Sequence, residues 1–217
     1  MTFLSRLEPQ EWRRRLWHMT PGLLPPVLWL IPHSDPLSWI AMSIIVAIGT
    51  ALSLNIFLRY EHIQRSGDTA RASAVLGYVL CVFGAFVIFP QAPQIGMAVI
   101  GILAFGDGSA TLGGKLFRGP RLPWNSEKSW SGFLCFIVMG TLFAALWYWG
   151  ETWFNIEANE YRRIDFATAL AVAGSAALLA AVAESWPTNL NDNIRVGLCA
   201  VVTIAAAHSV FVGWQGL

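Results

Sequence analysis

Apolar runs recur along nearly the whole of this chain, and their lengths leave few folds open to it. A helix rises 1.5 Å per residue, so crossing about 30 Å of hydrocarbon takes about 20 residues. Five stretches come near that length: Leu37–Leu58, Ser73–Pro90, Ser131–Gly150, Asp165–Glu184 and Ile194–Trp214. A sixth, Pro93–Gly106, is shorter and suits a span that is tilted or embedded among its neighbours. A seventh, Gly22–Ile31, is shorter still and carries Pro25 and Pro26, which suits a kinked span or a re-entrant segment. The expectation is an all-α, polytopic membrane helical bundle of about seven transmembrane helices. It fills residues 1–217 as a single integral membrane domain, with no linker and no low-complexity tail.

Composition supports this reading. Hydrophobic residues make up 55% of the sequence and charged residues 12%, about half the charged share of soluble domains. A net charge of +1 gives neither a basic surface nor an acidic tail, so no nucleic-acid partner is expected. Most of the eleven tryptophans, among them Trp17, Trp39, Trp147, Trp153, Trp186 and Trp214, stand near the ends of apolar runs. Indoles at such positions anchor spans at the headgroup level. The first twenty residues are polar and Arg-rich, without the apolar core of a cleavable signal peptide. Cys81, Cys135 and Cys199 each lie inside an apolar run without CxxC spacing, as small buried side chains do.

The cations sort by side. With Gly22–Ile31 counted as a span, every Lys and Arg except Arg162 and Arg163 falls on the side of the N-terminus. That bias predicts a cytoplasmic N-terminus and puts the 107–130 and 184–195 segments on the cytoplasmic face with it. On that side Arg14-Arg15-Leu16-Trp17-His18 reads as an interfacial basic cluster attracting anionic lipid. His33 and His62 fall in loops without partners, and His208 falls mid-span as a hydrogen-bonded packing residue.

The stretch that carries chemistry is Ala104–Gly132, a Gly-rich cationic segment between apolar runs. Gly108, Gly113 and Gly114 permit close backbone approach to a ligand. Lys115, Arg118, Arg121 and Lys128 are clustered cations of the kind that neutralise phosphate oxygens. Asp107 ends the third run, and a carboxylate at that depth is a functional candidate by default. Glu184 closes another run, Trp186-Pro187 stops its helix, and Asn191-Asp192-Asn193 turns into the last span. Asp107, Glu184 and Asp192 then share one face, three hard oxygen ligands suited to Mg²⁺ or another divalent cation on a polyphosphate.

The segment is not a P-loop. Gly108 to Lys115 holds one residue too many, Leu116 replaces the Ser/Thr, and a membrane helix precedes it instead of a strand. A soluble-type NTPase is excluded, and the natural reading of such a segment at a membrane surface is an enzyme that handles a phosphorylated nucleotide beside a lipid. A lipid transporter or scramblase would account for the spans and charges, but not for a Gly-rich loop and acids gathered on one face.

These residues resemble those of the CTP-dependent lipid kinases: dolichol kinase, phytol and farnesol kinases, and the yeast-type diacylglycerol kinase. That group is distantly related to phosphatidate cytidylyltransferases. The family's central pattern is Asp with small residues, then Gly-Arg/Lys-x-x-Gly, then Lys-Ser/Thr-x-Glu-Gly. It is similar to Gly106-Asp107-Gly108-Ser109-Ala110, Gly114-Lys115-Leu116-Phe117-Arg118-Gly119 and Lys128-Ser129-Trp130-Ser131-Gly132. Glu-Ser followed by Asp-Asp-Asn is similar to Glu184-Ser185 and Asn191-Asp192-Asn193, and Arg-Lys-x-x-His to Arg14–His18. The three matches fall in order across nearly the whole chain. There are departures: Ser131 stands where the family has Glu, and Asn191 replaces an Asp, leaving Asp192 the only acid there. A CDP-lipid synthase, the nearest rival, usually carries a downstream His-Gly-Gly … Asp-Arg-x-Asp signature that this sequence lacks.

The resemblance implies transfer of the CTP γ-phosphoryl group to a membrane lipid alcohol, whether a polyprenol, a phytol-like alcohol or diacylglycerol. Lys115 and Lys128 would contact phosphates, with hydrogen bonds from Ser129 and the Gly113-Gly114 backbone. Gly108, Gly132 and Asn193 would complete the nucleotide site. Asp107, Asp192 and Glu184 would hold Mg²⁺, and one of these acids or His18 would take the hydroxyl proton. The implied home is a bacterial inner membrane or an ER-type membrane; the oligomeric state stays open.

Overall fold

The computed structural model describes residues 9–31, 33–34, 36–59, 71–155 and 163–213. Arg6, His62, Arg65, Arg162 and Trp214, which entered the reading of anchors and sidedness, lie outside the described residues. Helix α1 (Pro9–Met19) leads through a 3₁₀ turn (Thr20–Leu23) into the short α2 (Leu24–Leu28). Then follow α3 (Trp39–Arg59), α4 (Arg71–Ile88), α5 (Pro93–Gly101) and α6 (Asp107–Phe117). A hairpin of β1 (Arg121–Leu122) and β2 (Asn125–Ser129) precedes α7 (Trp130–Phe154), α8 (Phe166–Ser185) and α9 (Asp192–Phe211).

One π turn, Ile102–Gly106, joins α5 to α6, so that Pro93–Phe117 is a continuous 25-residue helix. The third span therefore does not end at Gly106, and the Gly-rich segment up to Phe117 is helical rather than a loop. Glycine is costly inside a helix, and here contact with α7 demands it. A Cβ on Gly113 would lie 2.3 Å from the Cys135 sulfur, one on Gly132 2.7 Å from the Ala110 carbonyl oxygen, and one on Gly101 2.8 Å from the Ala144 backbone. Helices in lipid gain little from burying apolar surface against each other, so such backbone-close packing is what binds them. Helix α8 uses alanine for the same end: Ala169, Ala173, Ala176, Ala177 and Ala180 are fully buried, while Leu178 and, on α9, Leu198 and Val202 face outward.

Among the described residues four helices are long and apolar enough to cross a membrane: Pro93–Phe117, Trp130–Phe154, Phe166–Ser185 and Asp192–Phe211. The apolar α3 and α4 run beside them, with described apolar stretches at Trp39–Asn55 and Val75–Ile88. Seven transmembrane helices is thus a higher count than these residues supply. Gly22–Ile31 is not a helical span, because prolines 21, 25 and 26 remove N–H donors and break the traverse into short pieces. Even so, α1, the 3₁₀ turn and α2 run the length of the bundle. Glu11 pairs with Lys115 at the end of α6 (3.2 Å), Gly22 packs on Ala104 and Phe105, and Trp29 packs on Gly150 near the end of α7.

Among the described residues the hairpin is a small β element beside the helices. Among the tryptophans, Trp39, Trp153 and Trp186 are exposed as anchors would be, but Trp147 is buried against Trp29 and Phe143. The three cysteines are free. His208 is the packing residue expected, its Nδ1 meeting the Tyr148 hydroxyl at 2.5 Å.

Candidate active site

The hairpin owes its position to the end of α8. The Trp124 indole N–H donates to the Ser185 hydroxyl (3.1 Å), and the Asn125 amide donates to the Ser185 carbonyl (2.9 Å). With β2 fixed there, Lys128 reaches the neighbouring Glu184, to which its ammonium donates, and stands 3.7 Å from Asp192. Glu184 is buried in the last turn of α8; Asp192 opens α9, which Asn191 caps by accepting from the Asn193 N–H (3.0 Å). Arg195, one turn on, holds Asp192 and also donates to the Trp186 carbonyl and the Thr188 hydroxyl, clamping the α8–α9 turn. Burial by itself would lower the Lys128 pKa. The charge and hydrogen bond of Glu184, with the charges of Asp192 and Asp107, outweigh burial and hold the ammonium above the ordinary lysine range.

On the other wall Asp107 follows directly on the π turn and is 9% exposed. π turns interrupt the regular helical ladder and recur at functional sites. Here His18 Nε2 lies 2.9 Å from the Leu103 carbonyl oxygen inside that turn and 3.0 Å from Asp107 Oδ2. Both are acceptors, so Nε2 carries the proton and, in the neutral ring, Nδ1 keeps its lone pair. Arg15 stands 3.6 Å from the same carboxylate oxygen and 3.2 Å from Glu11. The Arg14–His18 cluster is therefore not a lipid-facing patch: Arg15 is buried, and it tucks α1 against α6.

Both walls meet at the polar mouth of a cavity of about 320 Å³. Arg14, Arg15, His18, Asp107, Asp192 and Asn193 line that mouth. Below it the walls are apolar, made by α2, α3 and α4. Among the described residues no three His, Cys, Asp or Glu side chains cluster as an all-protein metal cage. Mg²⁺ does not require one, since it is typically held by one or two carboxylates together with substrate phosphates and water. Asp107 and Asp192, hard oxygen donors on the cavity, fit that demand, and Glu184 stands beyond Lys128.

The structure thus gathers His18, Asp107, Lys128, Glu184, Asp192 and Asn193 at one place. Other residues of the expected nucleotide site have contacts of their own. Gly113 and Gly132 serve the α6–α7 contact, Gly108 faces the Met19 side chain, and Lys115 pairs with Glu11. Ser129 caps α7, its hydroxyl accepting from the Gly132 N–H (3.2 Å), and Gly114 lies against that hydroxyl. Ser131 accepts from the Gly119 N–H (3.1 Å), closing the chain between α6 and the hairpin. Sequence reasoning missed Glu11, Arg195 and Tyr78. The Glu11–Arg15 and Asp192–Arg195 spacings of four and three residues were a usable signal; nothing local marks Tyr78, whose buried hydroxyl has no hydrogen-bond partner among the described residues and whose ring meets His18 edge-on.

The chain aligns along nearly its whole length with phytol kinase 1, chloroplastic, of Arabidopsis thaliana, at 28% identity, covering 93% of this chain and 67% of that protein. It is a homologue of the phytol and farnesol kinases. Probable phytol kinase 1, chloroplastic, of Oryza sativa subsp. japonica aligns at 27% identity over 95% of this chain and 66% of its own length. Farnesol kinase, chloroplastic, of Arabidopsis thaliana aligns at 26% identity over 89% and 64%. The chain spans about two thirds of the length of these curated relatives. No family model matches it, and no solved structure matches it. The relatives support a lipid kinase.

Proposed function

We propose that this protein is a lipid-alcohol kinase that transfers the γ-phosphoryl group of CTP to the hydroxyl of an isoprenoid alcohol at the mouth of the cavity. The observation that carries this reading is the junction itself: a mouth lined by acids and cations leads into an apolar chamber. A lipid alcohol needs both environments, and the names of the relatives, phytol and farnesol kinase, support the acceptor class.

Phosphoryl transfer asks an enzyme chiefly for positioning and charge neutralisation. Lys128 stays charged at physiological pH and takes phosphate oxygens in place of part of its contact with Glu184. Arg14 and Arg15 add positive charge across the mouth. Asp107 and Asp192, with Glu184 behind, would hold Mg²⁺, which supplies charge neutralisation on the polyphosphate. His18, fixed through Nε2 by Leu103 and Asp107, offers Nδ1 to the acceptor hydroxyl and takes its proton. The mouth faces the cytoplasm, following the cation bias along the chain. In a cysteine-free background, Arg121→Cys should react with an impermeant thiol reagent only from the cytoplasmic side, and Arg163→Cys only from the other.

The test is transfer from γ- and α-labelled CTP to farnesol and phytol by the purified protein. Label from the γ position in the lipid is the expected result. Label from the α position would make the protein a cytidylyltransferase, and label from neither, with any nucleoside triphosphate, would remove the kinase reading.

A further inference from the structure

The cavity has an end as well as a mouth. Tyr78 of α4 lies beside His18 at the polar opening, and Phe86 lies two turns further along the same helix. At 1.5 Å per residue that is about 12 Å of depth. Phe86 is 1% exposed, and its ring lies flat on α5 at Gly96, where a Cβ would come within 2.9 Å of ring carbons. Beyond it is a second void of about 20 Å³, and Leu28, Ile31, Ile45 and Phe86 line both spaces. These four side chains form the partition. Phe86 is the largest of them, and Gly96 and the α5 backbone behind it leave the ring nowhere to retreat.

We propose that Phe86 is the floor of the acceptor chamber and sets the chain length of the single-chain alcohol it admits. This rests on the kinase reading for the identity of the ligand, not for the geometry. A single apolar arm takes one hydrocarbon chain with its hydroxyl at Asp107 and His18. A chain longer than the arm must turn aside at the floor, toward the exposed Val27 and Ile48, or leave its hydroxyl out of reach. Opening the floor joins the two voids and lengthens the arm; enlarging the floor residue shortens it.

The test is binding without nucleotide, read as competition by geraniol, farnesol, geranylgeraniol and phytol against a photoreactive farnesol analogue, on purified protein in lipid nanodiscs. Wild type should show an optimum length, with weaker competition on either side. Phe86→Ala, which removes the ring and joins the two voids, should move the optimum up by about one isoprene unit, and Phe86→Leu, a milder change, should shift the preference toward the longer of two adjacent chains. Phe86→Trp should move the optimum down. The preference between adjacent lengths should shift by about tenfold or more, as a filled apolar pocket discriminates groups of methylene size and above. Leu80→Ala, on the outward face of α4, should leave the length profile in place. A wild type with no optimum, or a length profile that stays put in Phe86→Ala, Phe86→Leu and Phe86→Trp, overturns the floor assignment. Because binding is read apart from transfer, a length optimum that moves with residue 86 in a protein that transfers no label upholds the floor and removes only the kinase reading.

Discussion

His18 meets Asp107 at 3.0 Å and His33 meets Glu151 at 2.7 Å, so this bundle buries two histidine–carboxylate pairs of nearly the same geometry. Their surroundings differ. The first opens on a cavity of about 320 Å³ and stands among Arg14, Arg15 and, across the mouth, Lys128. The second reaches only the void of about 20 Å³ and is closed in by the Ile31 carbonyl and the Asn155 amide. One Glu151 oxygen has no hydrogen-bond partner among the described residues. The pair itself therefore does not mark a reactive site; access and convergent cations do. At the far end the same chemistry ties the segment after α2 to α7. His33, which the sequence places in a loop without partners, is a buried tether.

The contrast breaks most readily at Lys128. Lys128→Ala should cost about 10² to 10³ in kcat/KM, the scale seen when a preorganised charge is removed from a dry reacting site. Lys128→Arg should lose most activity, because a planar fork cannot reproduce the point charge that fits between Glu184 and Asp192. Arg121→Lys should have a mild effect on the rate, since Arg121 is exposed and its guanidinium donates to the Glu127 carbonyl (3.0 Å) in its own hairpin. Equal tolerance at 121 and 128 would reduce the hairpin to a basic patch.

At the sealed pair the expected effect is on stability. His33→Ala leaves the Glu151 carboxylate buried without its partner and should destabilise the protein by about 3–5 kcal/mol, read as a fall in the thermal midpoint in detergent. A wild-type midpoint would mean that the pair is not a tether. Smaller again is Ser129→Ala, which removes the α7 cap and should cost about 1 kcal/mol. The last effect is a matter of pH. The Lys128 pKa is raised in the folded protein, so its stabilising contribution is complete below the ordinary lysine value of about 10.4 and is lost as pH rises through the folded value. The difference in thermal midpoint between wild type and Lys128→Met should therefore shrink only above that value; shrinkage below pH 9 would contradict the assignment.

Much of this is legible in the sequence. Apolar runs placed α3, α4, α7, α8 and α9 within a few residues, because a span must be apolar along its length whatever it touches. Asp107, Lys128, Glu184 and Asp192 were legible because charge is scarce in such a chain and each interrupts or borders a run. The helical state of Asp107–Phe117 was not. Its glycines read as a ligand-cradling loop, and only the contacts of Gly113 with Cys135 on α7, and of Ala110 with Gly132 on α7, show that the two helices touch there. The burial of Arg15 was hidden for a similar reason, since its partner Asp107 lies far away in sequence. His33 and Glu151 are further apart still, and no spacing rule connects them.

The central claim is that the mouth pair does chemistry and the sealed pair does not. Its most direct test compares initial rates of γ-label transfer from CTP to farnesol by Asp107→Asn and Glu151→Gln, each corrected for the folded fraction. Asp107→Asn should fold and lose more than about 10²-fold, while Glu151→Gln should keep the wild-type rate per folded molecule. Near-normal transfer by Asp107→Asn, or an equal loss in both variants, would contradict the account.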